Sequence, residues 1–407
     1  MSHPRILIIG AGIGGLALAQ GLRRRHVDFA VFERDVLLDS RLQGYRIKIF
    51  PEMKEKLRGL FLDEAWSEFE TTCAQTILGE TNLNATDAAI LACRKGHLPE
   101  GAPLPYTADR GLLRRAMMTG IQDSVHFGKQ LARYEIKDGY VEAFFTDGSI
   151  EQGTLLVGAD GSRSAVRKQF LPGFHFLDTD GCCIYGKSFL DSELKARFPL
   201  KYRQWITVVK DESPIIQSII SGLRSSITMV TEPVEFSNRE SRDDLPQDYV
   251  HWGLLFPKDS CGFGEDGLNE ALRSNPSGLA LEITSQWDPS IRSLLELQDK
   301  SLTSGMRVYS ASPEIGSWES SPHVTMLGDA IHLMSPSGGV GAVAALNDAA
   351  ALAQIIAEKR GVLSVESIGK FEQIMKDFAG ACLRRSFIAG EKMLNTPPAE
   401  GCKKADL

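Results

Sequence analysis

The sequence predicts an α/β fold in which a parallel, Rossmann-like sheet is interrupted by a mainly antiparallel β-sheet and followed by a C-terminal helix. Three stretches of the 407 residues predict it. First, the apolar run Ile6–Ile9 enters Gly10-Ala-Gly12-Ile-Gly14-Gly15 and a small-residue helix from Leu16, and Glu33 closes the next apolar run. Second, residues 181–300 change to alternating runs. Third, Val324–Leu327 delivers Gly328-Asp329 and the loop Pro336-Ser-Gly-Gly339-Val-Gly341-Ala342, ahead of an alanine-rich helix near 341–359.

The order strand, glycine turn, helix, strand is what a bound dinucleotide requires. Gly10 permits the tight turn, Gly12 lets the backbone approach a pyrophosphate, and Gly15 lets the helix pack on the strand. The helix N-terminus offers unpaired N–H groups and a partial positive charge. Glu33, eighteen residues after Gly15, is placed to accept hydrogen bonds from a ribose diol.

Arg41–Ile49 then alternates like a strand before Pro51 starts a helix. Asp109–Met118 reads as a helix with its apolar side inward. Asp138-Gly139 is a hairpin signal between Tyr134–Ile136 and Tyr140–Phe145. Leu155–Val157 is a buried strand ending at Asp160-Gly161, and strand ends of this kind bind ligands in open α/β sheets. Asp160 can hydrogen-bond a ribose while Arg163 and Arg167 meet phosphate, although Asp-Gly is also an ordinary turn. The runs Ile206–Val209, Ile215–Ile220, Ser226–Val230 and Trp252–Leu255 predict the antiparallel sheet, with helices around 267–298. Asp329 repeats the logic of Asp160, and the helix starting near Gly341 turns its positive end toward whatever lies over Gly338–Gly341. Residues 364–394 read as a final amphipathic helix.

Composition narrows the function. At 43% hydrophobic and 24% charged, the chain is an ordinary globular protein. A net charge of −7 argues against a nucleic-acid partner, and the short clusters Arg23–Arg25 and Arg114-Arg115 read as solvated helix faces. Ile6–Ala19 is too short and glycine-rich for a membrane span, and no other run approaches that length. Seven irregularly spaced cysteines without a C-x-x-C pair point to free thiols in a reducing cytoplasm. The eight histidines lack metal-binding spacing, so no metal is expected, and no G-x-S-x-G elbow exists. His332 reads as a core histidine. Gly181–Ser188 spells a phosphate loop, but no strand precedes it and Cys-Cys-Ile-Tyr is bulky; a strand crossing between domains explains it better.

The three motifs in this order resemble the single-component, aromatic-hydroxylase-type (class A) FAD-dependent monooxygenases, over most of residues 1–175 and 300–360. The resemblance implies a Rossmann-like FAD-binding domain in three parts, 1–75, 106–180 and 301–360. An excursion at 76–105 and a segment at 181–300 form the substrate domain, and 361–407 is a C-terminal helix and tail. Gly10, Gly12, Gly14, Gly15 and Glu33 would hold the adenosine half of FAD, with Arg34 and the backbone at Leu131. Arg110 would contact the ribose–phosphate region, and Asp329 the ribityl hydroxyls. Pro336, Gly339, Gly341 and Ala342 would form the ring-side loop, the last two through their N–H groups. Asp160 resembles the residue that serves both FAD and the incoming pyridine nucleotide. Arg41 lies where related enzymes place a basic group against the flavin, and Tyr185 and Lys187 stand near substrate; these three are the catalytic candidates. Two departures stand out, Val343 where Asn is frequent and Lys187 where Arg is common, and 181–300 matches loosely.

A single G-x-G-x-x-G implies that NADPH or NADH docks transiently as co-substrate. The implied reaction is hydroxylation or epoxidation of an aromatic or apolar small molecule with O2, through a flavin hydroperoxide, in secondary or aromatic metabolism. Two other readings share the fold: a flavin-dependent reductase, dehydrogenase or halogenase, and a non-catalytic flavin-binding protein. The halogenase stretch W-x-W-x-I-P is absent from the sequence.

Overall fold

A computed structural model describes residues 4–40, 45–211 and 227–407. Arg41 and the Ile215–Ile220 run lie outside the described residues. Ile6, Leu7, Ile8 and Ile9 are apolar on both faces of their strand and almost wholly buried, as a central parallel strand requires. That strand, Arg5–Ile9, is the middle of a five-stranded sheet ordered Val324–Met326, Leu155–Gly158, Arg5–Ile9, Asp28–Glu33, Val125–Phe127. Every pairing in it is parallel. The three motif-bearing strands are therefore neighbours, and their C-terminal ends open on one edge.

The helix Ile13–Arg24 packs against the helix Gly341–Glu358. Glycine makes the approach possible: a Cβ at Gly21 would lie 2.8 Å from Cβ of Ala353. The hairpin strands Leu131–Lys137, Tyr140–Phe145 and Ile150–Gly153 form a small antiparallel sheet, turning through Gly139 at φ +85°. Arg46–Ile49 and Tyr106–Asp109 form a two-stranded ribbon.

The large sheet runs Ser304–Ser310, Phe176–Phe189, Tyr249–Pro257, Ile227–Val234, Ile206–Asp211, Gly79–Asn84, Ile90–Lys95. Its pairings are antiparallel except that of Ile206–Asp211 with Gly79–Asn84. Phe176–Phe189 passes through 180/181 without ending, with a bulge between Asp178 and Gly181. The phosphate-loop spelling thus falls on a strand, which cannot converge its N–H groups on a phosphate. Ser304–Ser310 still belongs to this sheet, so the return to the parallel sheet comes with Val324–Met326 rather than at 301.

Period-two alternation divides the two faces of this sheet. Cys182, Ile184, Val250, Trp252, Leu254 and Phe256 pack on the helices Glu265–Ser274, Pro276–Ile283 and Pro289–Glu296. Cys183, Tyr185, Leu255 and Val308 face the other way, toward Tyr45 and Leu394. The C-terminal helix Val365–Leu394 begins in a Ser364/Ser367 capping box and lies along Gly341–Glu358. Lys403–Ala405 adds a short strand to Phe176–Asp178. Among the described residues no helix is long and apolar enough to cross a membrane, and no group of three or more His, Cys, Asp or Glu is placed to hold a metal ion.

Candidate active site

The glycine turn is fixed by close backbone approach. Gly10 has φ +108°, and a Cβ there would overlap the Ala159 carbonyl; one at Gly15 would overlap the carbonyl of Gly10. Gly12 differs, since its nearest obstacle is the Ala159 oxygen at 4.0 Å. The space above it is open, and the helix behind it starts without a side-chain cap or an acid in its first turn. Ala11 N–H donates to Glu33 Oε2 at 2.7 Å and Asp35 N–H to Oε1 at 2.9 Å. Glu33 thereby anchors the turn, and each oxygen keeps a second lone pair for a ligand. Arg34 is exposed beside it, and Leu131 is buried opposite Phe145.

Arg114 completes the turn and corrects its reading as part of a solvated face. It is 6% exposed and donates from Nε and Nη2 to the Ala11 carbonyl, and from Nη1 to that of Leu38 at 2.7 Å. Its sequence signal was spacing: Arg110 and Arg114 share one face of the helix Arg110–Met118.

At the second strand end, Asp160 Oδ2 accepts from Ala165 N–H at 2.7 Å, while Oδ1 is buried without a hydrogen-bond partner among the described residues. Burial pushes this carboxyl above its ordinary range, against the hydrogen bonds that lower it. Arg163 is exposed. Arg167, expected to meet phosphate, is instead turned inward: Nη1 donates to the carbonyls of Ser162 at 2.8 Å and Ala330 at 3.0 Å, and the guanidinium lies 4.4 Å from the Phe176 ring centre. It ties the second motif to the third.

Gly328 at φ +62° turns the third strand into the short helix Asp329–His332. The Asp329 carboxyl is exposed, yet protein closes round it enough to raise its pKa, with the charges of His332 and Arg110 pulling the other way. Behind it, His332 Nε2 meets Asp348 Oδ2 at 2.5 Å, and the same oxygen accepts from Gly328 N–H at 3.1 Å. Both side chains are fully buried. Burial lowers the His332 pKa, but the Asp348 carboxylate outweighs it and the net shift is upward. Pro336–Gly338 forms one 3₁₀ turn and Gly339 follows at φ +62°. A Cβ at Gly338 would overlap Ser386, so the C-terminal helix backs this loop. Gly341–Glu358 starts with no side-chain cap and no acid in its first turn, leaving the N–H groups of Gly341 and Ala342 without an acidic side chain of their own helix.

Distant residues meet beside Asp329. The Arg110 guanidinium stacks 5.4 Å from the Tyr45 ring centre, and Tyr45 stands edge-on to Tyr185 at 5.7 Å. Burial, with Tyr45 beside it, holds the Tyr185 phenol well above its ordinary pKa. Lys187, two residues along the same strand face, donates from Nζ to Asp109 Oδ2 at 2.6 Å; Tyr249 Oη donates to the same oxygen at 2.7 Å. Asp109 Oδ1 caps the Arg110 helix through the N–H groups of Gly111 and Leu112. Arg46 and Lys48 pair with the buried Glu232. His251 is held neutral, its pKa lowered to about 3 by burial and then by the charges of Arg46 and Lys187.

Known proteins share this arrangement in sequence and fold. Residues 315–386 match the model of the FAD binding domain, and residues 8–38 that of the NAD(P)-binding Rossmann-like domain. The chain is 40% identical over 440 aligned positions to the dual O-methyltransferase/FAD-dependent monooxygenase elcB of Phaeosphaeria nodorum, covering 99% of this chain and 47% of that protein. It spans about half the length of the curated relatives it matches first. A solved structure from Photorhabdus luminescens, assigned as an FAD containing monooxygenase, superposes with a TM-score of 0.78 at 28% identity over 95% of this chain and 98% of that one. In sequence and in fold the chain is similar to FAD-dependent monooxygenases.

Klebsiella pneumoniae HpxO, solved with FAD and uric acid, shares the fold of this chain at a TM-score of 0.71 and 22% identity, over 95% of this chain and 89% of that one. The residues in place fit an FAD: an open glycine turn, an orphaned carboxyl oxygen on Asp160, an exposed Asp329 and a helix start without acids. Sequence reasoning missed Arg114, Asp109, Asp348 and the pairing of Lys187. Asp109 alone carried a local signal, as an Asp preceding a helix.

Proposed function

We propose that this chain is an NAD(P)H- and O2-consuming monooxygenase that hydroxylates or epoxidises an aromatic or apolar small molecule in secondary or aromatic metabolism. The observation that carries the reading is the exposed Asp329 carboxyl, which follows the end of a strand next to those of Asp160 and the glycine turn. When bound, FAD supplies hydride acceptance and oxygen activation.

The chain's own residues then bind, orient and shield. The turn at Gly12 and the helix behind it take a pyrophosphate. Glu33 offers its free lone pairs to a ribose, with Arg34 and the Leu131 backbone beside it. Asp329 and Arg110 hold the hydroxyl-bearing linker, and Asp160 Oδ1 accepts a further hydroxyl. Pro336 and Gly339 shape the loop that presents the N–H groups of Gly341 and Ala342 to the ring system. Arg41 is assigned to the flavin on the resemblance alone.

Segments 76–105 and 181–300 supply the substrate side, walled by Tyr45 and Tyr185. Lys187 acts as a positioning residue: by holding Asp109 it sets the start of the helix that carries Arg110 and Arg114. The seven free cysteines support a reducing, cytoplasmic setting.

The test is anaerobic reduction of the purified protein by NADPH or NADH, followed by admission of oxygen with candidate aromatic substrates. A product heavier by one oxygen atom is expected. A product of unchanged mass, or one gaining two hydrogens, overturns the reading.

A further inference from the structure

Five glycines lie within strands of the large sheet: Gly79, Gly181, Gly186, Gly253 and Gly305. Four are explained by crowding. A Cβ at Gly186 would sit 2.5 Å from Cζ2 of Trp252 and 2.8 Å from Oγ1 of Thr303, and comparable contacts with Trp205, Leu394 and Leu272 account for Gly79, Gly181 and Gly305. Gly253 is the exception, because a Cβ there meets no atom within 4 Å among the described residues. It has no positive φ, and both of its ladders keep register without a bulge. A glycine inside a strand weakens it, and with no bulge and no neighbouring backbone among the described residues, the reason left open is close approach of a ligand.

Its neighbours agree. Trp252 and Leu254 are buried on the helix-covered face, so Gly253 belongs to the opposite face, with Leu255 and Tyr185. Register places Tyr185 directly beside it on one strand and Val230 on the other. Two polar atoms of this face, Tyr185 Oη and His251 Nδ1, are buried with no partner in ordinary hydrogen-bond geometry among the described residues, although the Ser304 side chain lies beside the phenol. A surface with an empty centre, apolar flanks and unmet polar atoms at its margin suits a flat ring bearing a hydroxyl.

We infer that Gly253 is a specificity-determining residue: the space over its Cα receives a planar aromatic ring, whose hydroxyl is met by Tyr185 or His251. The inference rests on the proposed oxygenase reading for the ring being a substrate, and the slot itself is tested without turnover. Calorimetric titration of the holoprotein compares naphthol with decalol, its fully saturated and therefore thicker counterpart. Wild-type protein is expected to prefer naphthol by about tenfold. Gly253→Val is expected to abolish that preference with the bound-flavin spectrum unchanged, and Gly253→Ala, which adds the least to the strand, to weaken it. Failure to bind naphthol, equal binding of the two, or a preference that survives both substitutions overturns the inference. A wild-type protein lacking flavin counts instead against the proposed function and leaves the calorimetric comparison standing.

Discussion

Arg114 donates two hydrogen bonds, from Nε at 3.2 Å and Nη2 at 3.1 Å, to the carbonyl of Ala11 in the middle of the glycine turn. Burial lowers the Arg114 pKa from its ordinary value, partly offset by Glu33. The guanidinium therefore clamps one side of the turn while Glu33 holds the Ala11 N–H on the other.

Replacing Arg114 by Met keeps much of the apolar stem and removes the clamp. Hydrogen bonds to a charged group are worth about 1.5–3 kcal/mol, so an FAD dissociation constant raised roughly tenfold is expected. Fluorescence titration with FAD reads it. An unchanged constant would show that the turn is set without the guanidinium.

Asp329→Ala separates binding from folding. The side chain is exposed, so stability is expected to change by no more than about 0.5 kcal/mol. The purified variant is expected to be folded but colourless. Circular dichroism and visible absorbance on one sample check this, and full flavin retention counts against the site.

The His332–Asp348 pair predicts a pH dependence. A histidine whose folded pKa lies above its unfolded value, here 6.5, contributes fully below that value and loses its contribution as pH rises through the folded pKa. Denaturant midpoints should fall as pH climbs above neutrality. In His332→Asn the unfolding free energy should be lower at acid pH, by about 3 kcal/mol for an unpaired buried Asp348, and the midpoints should vary less with pH. A wild-type midpoint that rises over this range contradicts the assignment.

Lys187 and Asp109 form a buried pair, in which the ammonium holds the Asp109 carboxyl below its ordinary range against burial. Lys187→Met leaves that carboxylate uncompensated and should cost about 3–5 kcal/mol. Adding Asp109→Asn should return much of this loss. A double-mutant cycle by urea unfolding measures the coupling, and simple additivity would mean the two side chains act independently.

The parts of this site legible in the sequence are those whose constraint is local. Gly10, Gly15 and Gly328 are glycine because backbones touch or φ is positive there, and their strands and helices announce themselves by runs of apolar residues. Charged residues misled where tertiary contacts decide their fate: Arg114 and Arg167 look like surface or phosphate-binding groups and are buried against carbonyls. Asp109, Lys187 and Tyr249 converge from positions up to 140 residues apart, and Asp348 meets His332 from the next helix, with no motif to mark either set. Gly79–Asn84 is polar in sequence and Ile90–Lys95 is an exposed edge strand, so only pairing reveals them. Gly253 acquires meaning once the register sets Tyr185 beside it.

The central claim is that the glycine turn, Asp160 and Asp329 surround a single FAD. Titration of the purified chain with FAD, followed by visible absorbance and flavin fluorescence, tests it most directly. One flavin per chain, displaced by neither Gly253→Ala nor Lys187→Arg and lost in Asp329→Ala, is the predicted result. A protein that stays transparent in visible light and takes up no added FAD contradicts the account.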